Sequence, residues 1–121
     1  MDWAELRDVV LTALENMKAV DPVVLDVRGK TGITDVMVVA SGNSGRHVKA
    51  IADRVVEDAK TYRMRPLGVE GEDSAEWVLV DLGDVVVHVM VPKMRDLYRL
   101  ERIWGIEDAE EPASSAGELP G

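Results

Sequence analysis

The chain has 121 residues, the size of a single domain, and a formal net charge of −9 from 14 basic and 23 acidic residues. It has no cysteine and two histidines, which excludes disulfide scaffolds, cysteine-ligated zinc, iron–sulfur clusters and histidine-rich metal sites. The first residues show neither a secretion signal nor a transit peptide, so a cytoplasmic location is expected.

The acidic charge is concentrated at the end of the chain. Residues 106–121 contain five acidic residues and no base, which leaves −4 for residues 1–105. Proline, serine and glycine interrupt this segment, and it has too few apolar residues to form a core. We therefore predict a folded domain over residues 1–105 and a disordered acidic tail over 106–121. A folded body of negative charge also disfavours general nucleic-acid binding.

The first half of the chain predicts a helix, two strands and a second helix. An apolar stripe at three- and four-residue spacing predicts an opening helix that ends before Asp21 and Pro22. Residues 23–27 are short and β-branched and predict a strand. The continuous apolar run 36–40 predicts a central strand covered on both faces. Ser44 is a good N-cap for a second amphipathic helix that continues to about Ala59.

The second half predicts a hairpin between a weak strand and a final helix. Residues 67–70 weakly predict a strand, and residues 77–81 and 84–91 predict two more. The intervening Leu82-Gly83 favours a turn in which glycine alone is left-handed. Pro92 can begin a last helix that Gly105 ends. The predicted fold is a single α/β domain with a mixed sheet of about five strands and helices packed on it.

The glycine-rich loop before the second helix is one candidate binding site. Such a loop directs N–H groups and the positive end of a helix toward an anion, and Arg46 and Lys49 would add charge. It matches neither established phosphate-loop pattern, and a tight connection also needs glycines and a cap. A nucleotide-binding or nucleotidyltransferase-like enzyme that uses the loop from Ser41 to Lys49 remains the alternative function.

The hairpin is the second candidate. Strand alternation places Trp77, Leu79 and Asp81 on one face, and Val86, His88 and Met90 on one face of the next strand. Tryptophan, tyrosine, methionine and arginine are enriched at protein interfaces, but Trp77 is equally compatible with the core. No pattern indicates a catalytic triad, a metal site or a cofactor, so no enzymatic activity is predicted.

Several long motifs together resemble one family, the ribosomal silencing factors, also called the RsfS or Iojap family. The similarity extends from about Trp3 to Gly105. The motifs that carry it are Ile33-Thr34-Asp35, Val39-Ala40-Ser41-Gly42, Ser44-Gly45-Arg46-His47-Val48, Gly68-Val69-Glu70-Gly71-Glu72, the stretch from Ala75 to Val89, Arg95, Tyr98-Arg99-Leu100-Glu101 and Trp104-Gly105.

The resemblance implies a function without an active site. Members of the family bind the large ribosomal subunit through large-subunit protein fourteen and block its association with the small subunit, which represses translation when nutrients are scarce. Their fold is similar to that of nucleotidyltransferases without known catalysis, and members are often homodimers when free. The resemblance therefore predicts a ribosome-binding repressor in the bacterial cytoplasm.

The resemblance also suggests which residues contact the ribosomal protein. The expected apolar centre of the contact is Trp77, Leu79, Leu82, Met90 and Tyr98. The expected polar part is Asp81, His88 and Arg95.

Overall fold

The computed structural model describes residues 3–28 and 34–98, without the side chains of Leu97 and Tyr98. The predicted acidic tail, the predicted helix end at Gly105 and the proposed contact side chain of Tyr98 therefore lie outside the described residues. The elements are, in chain order, α1 (Trp3–Asn16), β1 (Val20–Asp26), β2 (Val36–Ser41), α2 (Gly45–Thr61), β3 (Gly68–Glu70), β4 (Trp77–Asp81), β5 (Val85–Met90) and α3 (Pro92–Tyr98).

The strands form one mixed sheet in the order β1-β2-β5-β4-β3. β2 and β5 are parallel, and the other three pairs are antiparallel. The predicted element order and the five-stranded mixed sheet are confirmed. The prediction that residues 36–40 form a covered inner strand is also confirmed, since every residue of β2 is buried.

The main core lies between the sheet and the helices α1 and α2. The apolar side of each helix packs against the inward-facing valines of β2, β4 and β5. These side chains are almost completely buried. Burial of this many aliphatic groups is the main stabilising contribution to the fold. The buried members are Leu6, Val10, Ala13, Leu14, Val36, Val38, Ala40, Val48, Ile51, Ala52, Val55, Ala59, Val78, Val80, Leu82, Val85, Val87 and Val89.

β1 begins three residues earlier than its apolar pattern predicts. Val20 pairs with Ser41, and the register then shifts before Val23 pairs with Val39. Pro22 lies within this irregularity and Asp21 has a φ of 48°. Proline is tolerated here because β1 is an edge strand, where a missing N–H need not break a ladder bond.

The hairpin turn between β4 and β5 forms as its residues predict. Gly83 has a φ of 88°, and Leu82 is not left-handed, so glycine alone takes that conformation.

Within the described residues, no helix combines the length and apolar composition required to cross a bilayer.

Candidate interface on the hairpin

The side chains of β4 and β5 that point away from α1 and α2 form a second face, here called the hairpin face. Its residues are Trp77, Leu79, Asp81, Val86, His88 and Met90. In the antiparallel register Trp77 lies beside Met90, Leu79 beside His88, and Asp81 beside Val86. The three β4 side chains are partly exposed, whereas the three β5 side chains are buried. The accessible part of the hairpin face is therefore on β4.

Trp77 packs against a second, smaller apolar cluster. Its buried members are Leu25, Val27, Met37, Val39 and Met90, and the partly buried Val23, Trp77 and Met94 pack against them. Met90 is fully buried in this cluster. In this conformation Met90 supports Trp77 and is not available to a partner, contrary to the expectation that it lies at the centre of a contact.

Leu82 does not belong to the hairpin face. Its side chain is fully buried in the main core, on the side of the sheet that carries α1 and α2. Its backbone N–H bonds to the carbonyl of Val85 and closes the hairpin turn. Leu82 continues the alternation of β4, since Val78, Val80 and Leu82 all face the main core. The expectation of Leu82 as a contact residue is therefore corrected.

His88 is held as a neutral hydrogen-bond acceptor. Its side chain is 7% exposed, and burial lowers the pKa of the imidazole from 6.5 to about 4. The indole N–H of Trp77 donates to Nδ1 of His88 at 3.0 Å, and the two rings are tilted by 57°. Because Nδ1 accepts, the single proton of the neutral ring lies on Nε2. The bond fixes the indole orientation.

Asp81 and Arg95 both make bonds inside the chain. The Asp81 carboxylate accepts from the N–H of Gly83 at 2.9 Å and so caps the hairpin turn. The Arg95 guanidinium donates to the Val20 carbonyl at 3.3 Å and to Oγ of the buried Ser41 at 3.2 Å. Arg95 thus connects α3 to β1 and β2, and a role in positioning α3 is visible in the structure.

The segment that forms β3, β4 and β5 is acidic. Residues 66–92 contain six acidic residues and no lysine or arginine. Those acids are Glu70, Glu72, Asp73, Glu76, Asp81 and Asp84. All except the partly exposed Asp81 are exposed. A partly exposed tryptophan and leucine in an acidic segment, with Glu70 of β3 paired with Leu79, are features that suit a basic protein surface.

The glycine-rich loop between β2 and α2 uses its hydrogen bonds within the chain. The N–H of Gly42 donates to the Met90 carbonyl, and the N–H of Asn43 donates to Nδ1 of His47 at 2.9 Å. Ser44 Oγ accepts from the N–H of His47 and is the N-cap of α2, as predicted. The capping residues of this loop therefore have a structural explanation that does not require a bound phosphate.

A Cβ at Gly42 would lie 2.9 Å from the backbone N and from Cγ2 of Val48. This glycine therefore allows the loop to approach the first turn of α2. Among residues 3–28 and 34–98, no three histidine, aspartate or glutamate side chains are grouped closely enough to hold a metal ion.

Comparison with known proteins identifies the family. The sequence model described as "Ribosomal silencing factor during starvation" matches residues 2–120. A Chromobacterium violaceum protein named ribosomal silencing factor RsfS is 42% identical over 117 residues, which cover 97% of this chain and 93% of that protein. A mouse protein named mitochondrial assembly of ribosomal large subunit protein 1 is 32% identical over 107 residues, 86% of this chain and 47% of that protein.

A solved structure agrees. The crystal structure of a Chromobacterium violaceum protein has a TM-score of 0.85 and 45% identity, and the match covers 87% of this chain and 88% of that one. The similarity thus extends over most of the chain and supports the same α/β fold. This chain belongs to the ribosomal silencing factor family.

Proposed function

We propose that this protein binds the large ribosomal subunit through large-subunit protein fourteen and sterically prevents the small subunit from joining. The observation that carries the proposal is the accessible edge of the hairpin face, where Trp77 and Leu79 are partly exposed on β4, with Asp81 on the same strand and Glu70 of β3 paired with Leu79. The family membership supports a ribosomal partner, and the name of the mouse relative refers to the large subunit.

The hairpin face suits a basic ribosomal protein better than bare RNA. The six acids of residues 66–92 would repel a phosphate backbone, whereas lysines and arginines of a protein complement them. Trp77 and Leu79 would form the apolar centre of the contact and Asp81 part of its polar rim. Met90 and His88 would support these side chains from within the same face of the sheet, whereas Leu82 lies in the main core on the other side. Tyr98 remains a proposed contact residue on family resemblance alone, since its side chain lies outside the described residues.

The proposed mechanism requires only that the protein occupies the joining surface, and it involves no catalysis. A protein of 13.3 kDa placed on the joining surface needs only to overlap the position of the small subunit. Repression then depends on affinity and residence time, because the two partners compete for one surface. The proposed place of action is the cytoplasm.

A subunit reassociation assay tests the function. Purified protein is added to separated large and small subunits, and joined particles are followed in a sucrose gradient. We expect a dose-dependent decrease in joined particles. An undiminished amount of joined particles with saturating protein would contradict the proposal.

A tryptophan variant tests the assigned face. Trp77→Ala should weaken binding to large subunits by about 2 kcal/mol, roughly 30-fold, if Trp77 is a hot spot. Trp3→Ala is the matched control, because Trp3 packs against the main core on the other side of the sheet. Circular dichroism confirms that both variants are folded. Equal binding by Trp77→Ala and wild type would reject this face.

We also propose that the free protein is a homodimer. Sedimentation of wild type and Trp77→Ala measures this separately from ribosome binding. A variant that no longer dimerises yet binds large subunits normally would reassign the hairpin face to self-association.

A further inference from the structure

A second candidate surface is basic, and its residues directly precede the acidic hairpin segment in the sequence. Residues 60–67, here called the basic loop, contain Lys60, Arg63 and Arg65 and no acid. They form the end of α2 and the connection to β3. In a chain with a net charge of −9, this segment carries three positive charges within six residues. Basic and acidic residues are thus separated along this part of the sequence.

The three cations are available to an outside partner. Within the described part of the chain, Lys49 pairs with Asp53 and Arg54 with Asp58 on the same helix. None of the three cations of the basic loop forms an ion pair with a described residue, and all three are exposed. Arg63 and Arg65 therefore present their charge to solvent, whereas Lys60 lines a surface cleft together with Glu57 and Glu72.

The backbone holds Arg63 in a conformation that favours glycine. α2 ends in a Schellman motif, in which Met64 N–H bonds to the Ala59 carbonyl and Arg63 N–H to the Lys60 carbonyl. Arg63 occupies the left-handed position of this motif with a φ of 65°. Glycine is usual at this position because it has no Cβ to strain. An arginine here carries a local conformational cost.

α1 ends in the same motif and supplies an internal comparison. Ala19 N–H bonds to the Leu14 carbonyl and Lys18 N–H to the Glu15 carbonyl. Lys18 is left-handed, with a φ of 57°, and is exposed. A cation at either position also interacts favourably with the helix dipole. The position alone therefore does not indicate a ligand, but Arg63, unlike Lys18, is part of a cluster of cations.

The basic loop is anchored at both ends and presents apolar surface. Met64 packs against the main core, and Leu67 N–H bonds to the Asp81 carbonyl at 2.7 Å. Tyr62 is 56% exposed and Leu67 is 72% exposed. A segment fixed in this way gives up little conformational freedom on binding. An exposed tyrosine beside arginines can stack on an unpaired base while the arginines bind phosphates.

We infer that the basic loop binds the phosphate backbone of RNA, with the Tyr62 ring in position to stack on an unpaired base. The RNA is that of the large subunit beside the protein contact, so the inference rests on the proposed function. The loop adjoins the hairpin turn, since a Cβ at Gly83 would lie 3.7 Å from Cε of Met64. One docked chain can therefore meet protein with its acidic hairpin and RNA with its basic loop.

The protein contact must supply most of the affinity. A chain of net charge −9 is repelled by RNA as a whole, so three cations bind it weakly in isolation. Once the hairpin face is docked, the loop is held close to its target at a high effective concentration. The RNA contact should therefore be measured on intact large subunits.

The salt dependence of binding separates the two contacts. Binding of wild type and of the double variant Arg63→Gly, Arg65→Gln to large subunits is measured between about 50 and 200 mM salt, a range in which each neutralised phosphate changes affinity roughly three- to fourfold. The plot of log affinity against log salt should become less steep by about one for each phosphate that the variant no longer neutralises. An unchanged slope would overturn the inference.

Two single variants control for charge and backbone. Arg63→Gly and Lys18→Gly each remove one positive charge and relieve a left-handed residue at the end of a helix. We expect Arg63→Gly to reduce the salt slope and Lys18→Gly to leave it at the wild-type value. Equal effects would mean that total charge, not the basic loop, sets the salt dependence, and would also overturn the inference.

Crosslinking identifies the class of partner. A photoreactive benzoylphenylalanine in place of Tyr62 is irradiated in the complex with large subunits, and the products are digested with nuclease or protease. Crosslinks to RNA are expected. Crosslinks to an acidic protein segment instead would overturn the assignment to RNA. Failure of wild type to bind subunits at all would be seen first and would overturn the proposed function itself, and with it this contact.

Discussion

The indole N–H of Trp77 on β4 donates a hydrogen bond to Nδ1 of His88 on β5, at 3.0 Å. The two residues are diagonal neighbours across the antiparallel pair, because Trp77 lies beside Met90 and Leu79 beside His88. The bond satisfies a polar atom in a part of the sheet that excludes most water, and it fixes the plane of a partly exposed tryptophan. A preorganised indole gives up little rotational freedom when a partner covers it.

The buried imidazole predicts a dependence of stability on pH. The pKa of His88 is lowered to about 4 in the folded chain from 6.5, so between these values the unfolded chain binds the extra proton. The free energy of unfolding should therefore fall as the pH is lowered from 6.5 to 4, by about 3 kcal/mol from this group. This contribution is fully present above pH 6.5.

Urea unfolding of wild type and His88→Gln at several pH values measures it. Glutamine can still accept from the Trp77 indole but does not titrate, so the stability of the variant should fall less than that of wild type over this range. Parallel curves for the two proteins would show that His88 is not the responsible group.

Two leucines of the hairpin should separate core from surface. Leu82→Ala removes a fully buried side chain and should lower the free energy of unfolding by about 2–5 kcal/mol. Leu79 is only partly buried, so Leu79→Ala should lower the free energy of unfolding by only about 1 kcal/mol. Its main effect should be weaker binding to large subunits. Thermal unfolding and subunit binding are measured for both variants. A stable Leu82→Ala protein would contradict the placement of Leu82 in the core.

The close approach of Gly42 to α2 predicts that this loop tolerates no side chain. In Gly42→Ala the new methyl group would meet the backbone and the side chain of Val48, which should cost about 1–3 kcal/mol. Gly68 is the control, because no atom lies within 4 Å of a Cβ there. Gly68→Ala should alter stability by at most about 1 kcal/mol, with stabilisation favoured. Equal unfolding midpoints for the two variants would refute the steric argument.

The bonds of Arg95 predict that it holds α3 against the sheet. Arg95→Met removes its bonds to the Val20 carbonyl and to Ser41 Oγ and should destabilise the chain by about 1–3 kcal/mol. Hydrogen exchange should accelerate in α3 before the main core is affected. Lys93→Met makes the same kind of change at an exposed position of the same helix. Faster exchange in both variants alike would indicate a general effect of the substitution.

Much of this fold follows from local patterns in the sequence. The three- and four-residue spacing of apolar residues determined α1 and α2, and the continuous apolar run of residues 36–40 determined a covered inner strand. Ser44 and Gly83 determined a helix start and a turn because each has a strong local preference there. The start of β1 was missed, since Pro22 is compatible with a strand only at a sheet edge, and edges depend on the whole topology.

The sequence by itself determined that the hairpin has two apolar faces, and the tertiary structure decided which one is core. Val78 and Val80 alternate with Trp77 and Leu79, and both sets are apolar enough for burial. α1 and α2 pack on the valine side, which leaves the tryptophan side partly exposed. Leu82 has the same parity as Val78 and Val80 and is buried with them, whereas Met90 and His88 are covered on the opposite face. Alternation specifies which residues share a face, but only the position of distant helices decides which face they cover.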